Sequence, residues 1–404
     1  MFENLRVSVF LAARALQRGG RGRVLMNIIV IAFVFTNMIF LPSVISGAVE
    51  SYNVQTIDFM TSDIVIEPRE DARYIEDADT LLSRVNRIPG VVRASARYSM
   101  PASVDFEENV VSIEIKAFDP RDEVEVTKIH EYMQDGNFLG SGDRDEILLG
   151  VLVAGHEDKS KDFYDSLGGA AVGDVVTVRY ANGVVREYRI KGIVQTKSYI
   201  ADYMAFVTAD EMESVLGGAE PNTRATEILV KATDDADLNA LKRMILGFGV
   251  GEQVKTWEDA TSDIVAESVE SFNIINNITI IGSLIIAIVV IFILITIKTF
   301  TNRKQIGILK AIGIKKSVII NSYVMQVFFI TTFGVLLGLL LLEGMVLYFT
   351  AYPIEFPDGT VTPIVDAGML IENTVMLYVS SAVAGFIPAW RITNEKILDA
   401  MRGA

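Results

Sequence analysis

The sequence predicts a membrane protein, with four transmembrane α-helices and a large α+β domain on the extracytoplasmic side. Three observations carry this. There are four long apolar runs, the basic residues crowd into three short segments, and an acidic stretch of ordinary globular composition separates the first two runs.

The apolar runs are 24–47, 274–297, 318–349 and 367–389. Each is long enough to span, because about 20 residues rising ~1.5 Å each cross a hydrocarbon core of ~30 Å. Segments 1–23, 298–316 and 391–404 hold 14 basic residues against only Glu3, Glu395 and Asp399 as acids. The stretch 48–272 holds 22 basic and 43 acidic residues. Lys and Arg are retained on the cytoplasmic side during insertion. The expected topology therefore has both termini inside, the acidic domain outside and a basic inner loop. A domain this acidic is no nucleic-acid binder, since phosphate contacts need Lys and Arg. There is no cysteine, so no disulfide is expected. A cleaved leader is the wrong reading of the first run, which is too long for an apolar leader core of about 7–15 residues.

Taken in order, 1–23 reads as an inner amphipathic helix, with Leu5, Val9, Ala12 and Leu16 opposite Arg6 and Arg14. The first span, 24–47, should be kinked by Pro42. The outer domain begins with a first part, 48–118. It has a strand at Asp63–Pro68, a helix at Asp77–Ile88, and strands at Val91–Asp105 and Val110–Phe118. A second part, 221–257, adds a strand at Thr226–Lys231, a helix at Asp234–Leu246 and a strand at Gln253–Trp257. Together they give a split β-α-β-β-α-β pattern. Between them, 119–220 reads as an inserted β-rich subdomain, with Asn182-Gly183 a hairpin signal. A polar stalk helix, 258–273, should run unbroken into the second span, 274–297. The basic loop 298–317, the third span 318–349, a proline-bearing outer loop 350–366, the fourth span 367–389 and a tail 390–404 complete the chain.

Catalytic constellations are missing. The two histidines, His130 and His156, fall in the polar insertion, and the acidic clusters lack calcium-loop spacing. No phosphate-binding G-x-x-x-x-G-K-[ST] occurs. An intramembrane enzyme and a metal site are both disfavoured. Glu343 and Glu372 are the acids placed within the third and fourth spans, and intramembrane carboxylates are functional candidates by default. Gly334 and Gly338 form a G-x-x-x-G, which allows close helix packing within the bundle or against a second copy. In the basic loop, Ile306, Leu309, Ala311 and Ile312 supply an apolar edge at helical spacing. A small helix lying across the inner membrane face is the expectation.

The loop RKQIGILKAIGIKK resembles the R-x-x-E-I-G-x-L-(K/R)-A-(I/L)-G signature of the FtsX-like/MacB-type permeases of ABC transporters. IPAWRITNEKILDAMR, at Ile387–Arg402, resembles their ending. The arrangement of one span, a large outer domain and three more spans is also theirs, and the chain is similar to lipoprotein-releasing LolC/LolE-type permeases as well. Gln305 stands where the family usually has Glu, and Asn394-Glu395 replaces a proline region. The resemblance implies the permease subunit of an export or extraction system in the cell membrane. It implies no enzyme activity and no cofactor in this chain, ATP and Mg being bound by a separate ATP-binding subunit. Arg303, Lys304, Gln305, Ile306, Gly307, Leu309, Lys310, Ala311 and Gly313 would form the helix that couples to that subunit, its apolar edge seated in a groove. Further partners implied are a second permease copy, identical or not, membrane lipid, and a periplasmic adaptor, cargo or hydrolase. The alternative within the same fold is a non-transporting relay that activates an outer partner such as a cell-wall hydrolase. A membrane-anchored scaffold would need none of Arg303–Gly313.

Overall fold

The computed structural model describes residues 10, 12, 14, 21–157, 162, 164–217, 224–356 and 359–394. The amphipathic helix expected within 1–23 lies largely outside that set, and the ending from Glu395 onward lies wholly outside it. The chain divides into two compact units. One comprises the described residues of 1–48, 268–354 and 361–404, the other those of 49–267 and 355–360.

The second unit is built on ten strands: β1 (Ile64–Glu67), β2 (Val91–Phe106), β3 (Asn109–Phe118), β4 (Met133–Gly136), β5 (Glu146–Gly150), β6 (Val175–Tyr180), β7 (Val185–Val194), β8 (Ala205–Thr208), β9 (Glu227–Ala232) and β10 (Gln253–Thr256). Their order is β10-β1-β9-β2-β3-β8-β5-β7-β4, and β6 bridges β2 and β7. The split β-α-β-β-α-β part is therefore present as an antiparallel sheet in which β9 returns to lie between β1 and β2. Helices Ala78–Val85 and Leu238–Gly247 pack Leu81, Val85, Leu241 and Ile245 against Ile64, Ile66 and Val230 of that sheet. Asp237 caps the second helix by accepting from the Asn239 and Ala240 amides.

The inserted β-rich part is more than an insertion. Following the ladder from β2 through β3, β8, β5, β7 and β6 leads back to β2. The six strands thus close on themselves around Val104, Ile113, Leu149, Val178, Tyr188 and Val207. Closure removes sheet edges that would otherwise template pairing with other chains. It also moves the boundary expected at residue 119. The hairpin β2–β3 is long enough to serve both halves: β2 pairs with β9 through Arg97 and with β6 from Ala102. Glu107, at φ 52°, turns the hairpin.

The first unit is built of long helices, the first two of which run on into the second unit. α1 (Arg21–Gln55) runs past Pro42 as one helix and continues well beyond the expected end at Gly47. A π-helical turn, Thr56–Thr61, follows it. α2 (Trp257–Thr301) is a single 45-residue helix, so the stalk and second span are continuous as expected. α3 (Arg303–Ala311) is short, and α4 (Lys316–Ala351) and α5 (Ala367–Thr393) are the third and fourth spans. Four of these five are long and apolar enough to cross a membrane. Their shared core includes Ile31 and Phe35 of α1, Ile291 of α2, Val327 and Ile330 of α4 and Leu377 of α5.

Candidate functional site: the short basic helix

α3 is separated from α2 by Asn302, whose carbonyl accepts from the Ile306 amide. It stops at Gly313, which sits at φ +89° where a side chain would be strained. The Ile314 amide donates to the Leu309 carbonyl at 3.1 Å and the Gly313 amide to the Lys310 carbonyl at 3.1 Å. Those two bonds, with Leu309 and Ile314 both packed on the bundle core, make a Schellman ending. Arg303 lies over the Phe300 ring, 5.7 Å from its centroid.

The orientation of α3 corrects the expected apolar edge. Ile306 and Gly307 are buried against the bundle, with Ile306 only 2% exposed, and Leu309 is half-buried on the same side. Residues that anchor α3 to its own bundle are not a free docking edge. Lys310 also turns inward, and its Nζ donates to the Thr393 carbonyl at the end of α5, 2.9 Å away. The exposed face is Lys304, Gln305, Ile308, Ala311 and Ile312, with Ile308 54% and Ile312 69% exposed. Helical spacing alone groups Ala311 and Ile312 with Ile306 and Leu309, whereas in the fold both face out beside Ile308. Spacing alone shows that a helix has an apolar side. It does not show that this helix has two, one filled by its own chain.

The other singled-out residues separate. At Gly334 a Cβ would lie 2.6 Å from Ile31 Cγ2, and at Gly338 one would lie 2.7 Å from Phe35 Cδ1. The Thr36 hydroxyl reaches the Gly338 carbonyl at 3.1 Å. The G-x-x-x-G is thus a packing surface for α1 of the same chain. Both glycines are buried there, which is the within-bundle packing that the G-x-x-x-G allowed. Glu343 and Glu372 are both exposed on their helices. Among the described residues no cluster of three metal-ligating side chains forms.

A feature the sequence reading missed lies where the π turn packs on the sheet, both within the second unit. Arg97 on β2 and Glu123, on the short helix Pro120–Val126, form an ion pair with exposures of 1% and 0%. Arg97 donates to the Phe59 and Met60 carbonyls as well, at 3.4 and 3.2 Å. Glu123 also accepts from the Ser95 and Thr127 hydroxyls at 2.8 and 2.7 Å. Burial opposes the charge on Arg97, yet Glu123 and Glu227 outweigh it and hold its pKa above the ordinary arginine value. Ser62, just past the π turn, is buried at φ 54°, its hydroxyl on the Val126 carbonyl. The signal available in the sequence was an Arg placed directly after the small-residue run Ala94-Ser95-Ala96 on a strand.

Two family models match the chain. The MacB-like periplasmic core domain covers residues 24–247, and the FtsX-like permease C-terminal model covers 277–397. The first spans more than half of the sequence, and the chain belongs to the FtsX-like, MacB-type permeases of ABC transporters. It is a multi-pass membrane protein of that family. No curated protein is significantly similar to it. Among solved structures, the extracellular domain of noncanonic ABC-type transporter YknZ from Gram-positive bacteria is 12% identical, with a TM-score of 0.35. That match covers 48% of this chain and 97% of that one. The periplasmic region of MacB from Actinobacillus actinomycetemcomitans is 11% identical at TM-score 0.35, covering 51% and 91%. A domain of a putative permease from Porphyromonas gingivalis is 14% identical at TM-score 0.30, covering 49% and 89%. The family assignment rests on the two family models.

Proposed function

We propose that this chain is the membrane subunit of an ABC-type export or extraction system, coupled through α3 to a separate ATP-binding subunit. ATP hydrolysis and its Mg belong to that subunit, and its closure displaces the outer domain, a mechanism called mechanotransmission. The observation that carries the reading is the outward face of α3. Ile308, Ala311 and Ile312 form an apolar ridge, bordered by Lys304 and Gln305, on a helix held rigidly by Ile306, Lys310 and the Gly313 ending. An apolar ridge on a short, pre-formed helix suits a groove on a partner, and ordering that helix in advance lowers the entropic cost of binding. The basic flanks of α3 support placing it, and both termini, on the cytoplasmic side. Pairing with a second permease copy belongs to the same reading.

The test is affinity capture of the full chain in mild detergent, with mass spectrometry of what co-purifies. Wild type is expected to bring down a protein with a phosphate-binding G-x-x-x-x-G-K-[ST] loop. Ile308→Asp should lose it while the bundle stays folded, because Ile308 touches solvent and not the core. Retention of that partner by Ile308→Asp and Ile312→Asp together removes α3 as the coupling surface. Capture of no ATP-binding protein by the wild type removes the reading itself.

A further inference from the structure

We propose that the cleft between α4 and α5 is a binding site for one amine-headed phospholipid, its acyl chain in the cleft and its ammonium on Glu343. The cleft, about 600 Å³, is lined by Leu336, Leu339, Leu340, Val346, Val365 and Leu370, with Glu343 its one charged group. It is thus a greasy trough with a carboxylate at one place along it.

Depth decides what reaches that carboxylate. Counting from Lys316 at the basic end of α4, a hydrocarbon core of ~30 Å at ~1.5 Å per residue is used up by roughly residue 337. Glu343 then lies about two turns further along, at head-group level. Counting back from Arg391 along α5 gives the same level, with Leu370 at the far hydrocarbon boundary. Leu336 therefore lies beside acyl chains, Leu339 and Leu340 at the boundary, and Glu343 beside head groups.

Charge decides which occupant fits. No Lys or Arg occurs between Arg23 and Arg69, between Lys255 and Lys298, or between Lys316 and Arg391. The segments adjoining the spans at this end carry acids only, Asp366 and Glu372 among them. A second copy of the chain could cover the cleft with an apolar helix but has no base there to offer Glu343. An anionic head group would meet only like charge. A lipid ammonium supplies the missing cation, and its acyl chain fills the apolar part by close packing, the tail being in hydrocarbon already.

The experiment is native mass spectrometry of the purified full chain. It is offered equal amounts of phosphatidylethanolamine and phosphatidylglycerol with identical acyl chains. Wild type should retain phosphatidylethanolamine over phosphatidylglycerol by about fivefold, the size of one interfacial ion pair. Glu343→Gln should bring the two lipids to parity, and Leu340→Trp, which fills the trough, should lower retention of both. Glu372→Gln, on the neighbouring helix outside the cleft lining, should keep the wild-type preference. Equal retention by the wild type, or an unchanged preference in Glu343→Gln, overturns the proposal. The chain has no cysteine of its own, so Leu340→Cys tests the other occupant: a disulfide-linked dimer in membranes would show a second copy over the cleft and overturn it too.

Discussion

The two units bury different things. In the outer unit Arg97, Lys116, Glu123, Asp202 and Glu211 are buried, each tied into hydrogen bonds or ion pairs. Among the described residues of the membrane unit no charged side chain is buried. The polar groups inside it are neutral, and many hydroxyls turn back on their own helix, as Thr299 does to the Ile295 carbonyl at 2.7 Å. The difference follows from the solvent around each. A domain in water can enclose a charge if every lone pair and proton finds a partner. A bundle in lipid has no water to finish a network, so it relies on close backbone approach and on hydroxyls turned back on their own helices, with Thr296, Thr331 and Ser381 as buried exceptions. One unit is therefore specified by a few electrostatic partners and the other by shape.

The comparison can be broken most forcefully at Arg97. Arg97→Met leaves Glu123 buried and without its cation, which should cost about 3–5 kcal/mol. Hydrogen exchange on the full chain should speed up over Thr56–Thr61 and the proximal half of β2. The double change Arg97→Met with Glu123→Leu removes both charges and should recover most of that loss. If the single change is as mild as the double, the pair is not what orders the π turn.

A middle-sized effect is expected from shape alone. Gly338→Val places a side chain where the Phe35 ring and the Ala32 carbonyl already lie, at 2.7 and 3.0 Å from a Cβ. Overpacking of this kind costs about 1–3 kcal/mol. Thr331→Cys, at a buried position in an otherwise cysteine-free chain, reports on it: thiol labelling should stay slow in the parent and accelerate with Gly338→Val. Unchanged labelling would mean that α1 and α4 can part without opening the bundle.

The smallest effect is a pH slope. Burial works to raise the Glu227 carboxyl, but Lys116, at 2.7 Å, and Arg97 outweigh it and hold its pKa below the ordinary glutamate value. A pKa lower in the folded chain means that Glu227 contributes its full stabilisation above the unfolded value of about 4.3. That contribution is lost as pH falls through the folded value. Melting temperatures of the full chain should fall as pH drops below about 4, and Glu227→Gln should make that fall shallower. A slope unaffected by Glu227→Gln would assign the acid sensitivity to other carboxylates.

Much of this architecture was legible in residue order. The spans stood out because long apolar runs bracketed by Lys and Arg have few other meanings, and α2 was readable as one helix because nothing between Trp257 and Thr301 breaks it. The strands flanking Glu107–Asn109 were legible because alternation and a polar turn are local signals. The short basic helix was legible too, from its composition and its ending at Gly313. What the sequence by itself determined, then, was everything that depends on neighbours along the chain: which segments cross a membrane, which are strands, and where the basic helix lies between two spans. Tertiary structure alone decided the rest. The closed ladder needs β2 to meet β6 some seventy residues away. Arg97 needs Glu123 from a helix that local pattern did not reveal. Ile306 and Ile308 differ by two residues in α3, yet one faces the bundle and the other faces out. Each of these is a matter of pairing between distant segments, and in each the free energy comes from the partner rather than from the residue's own neighbours.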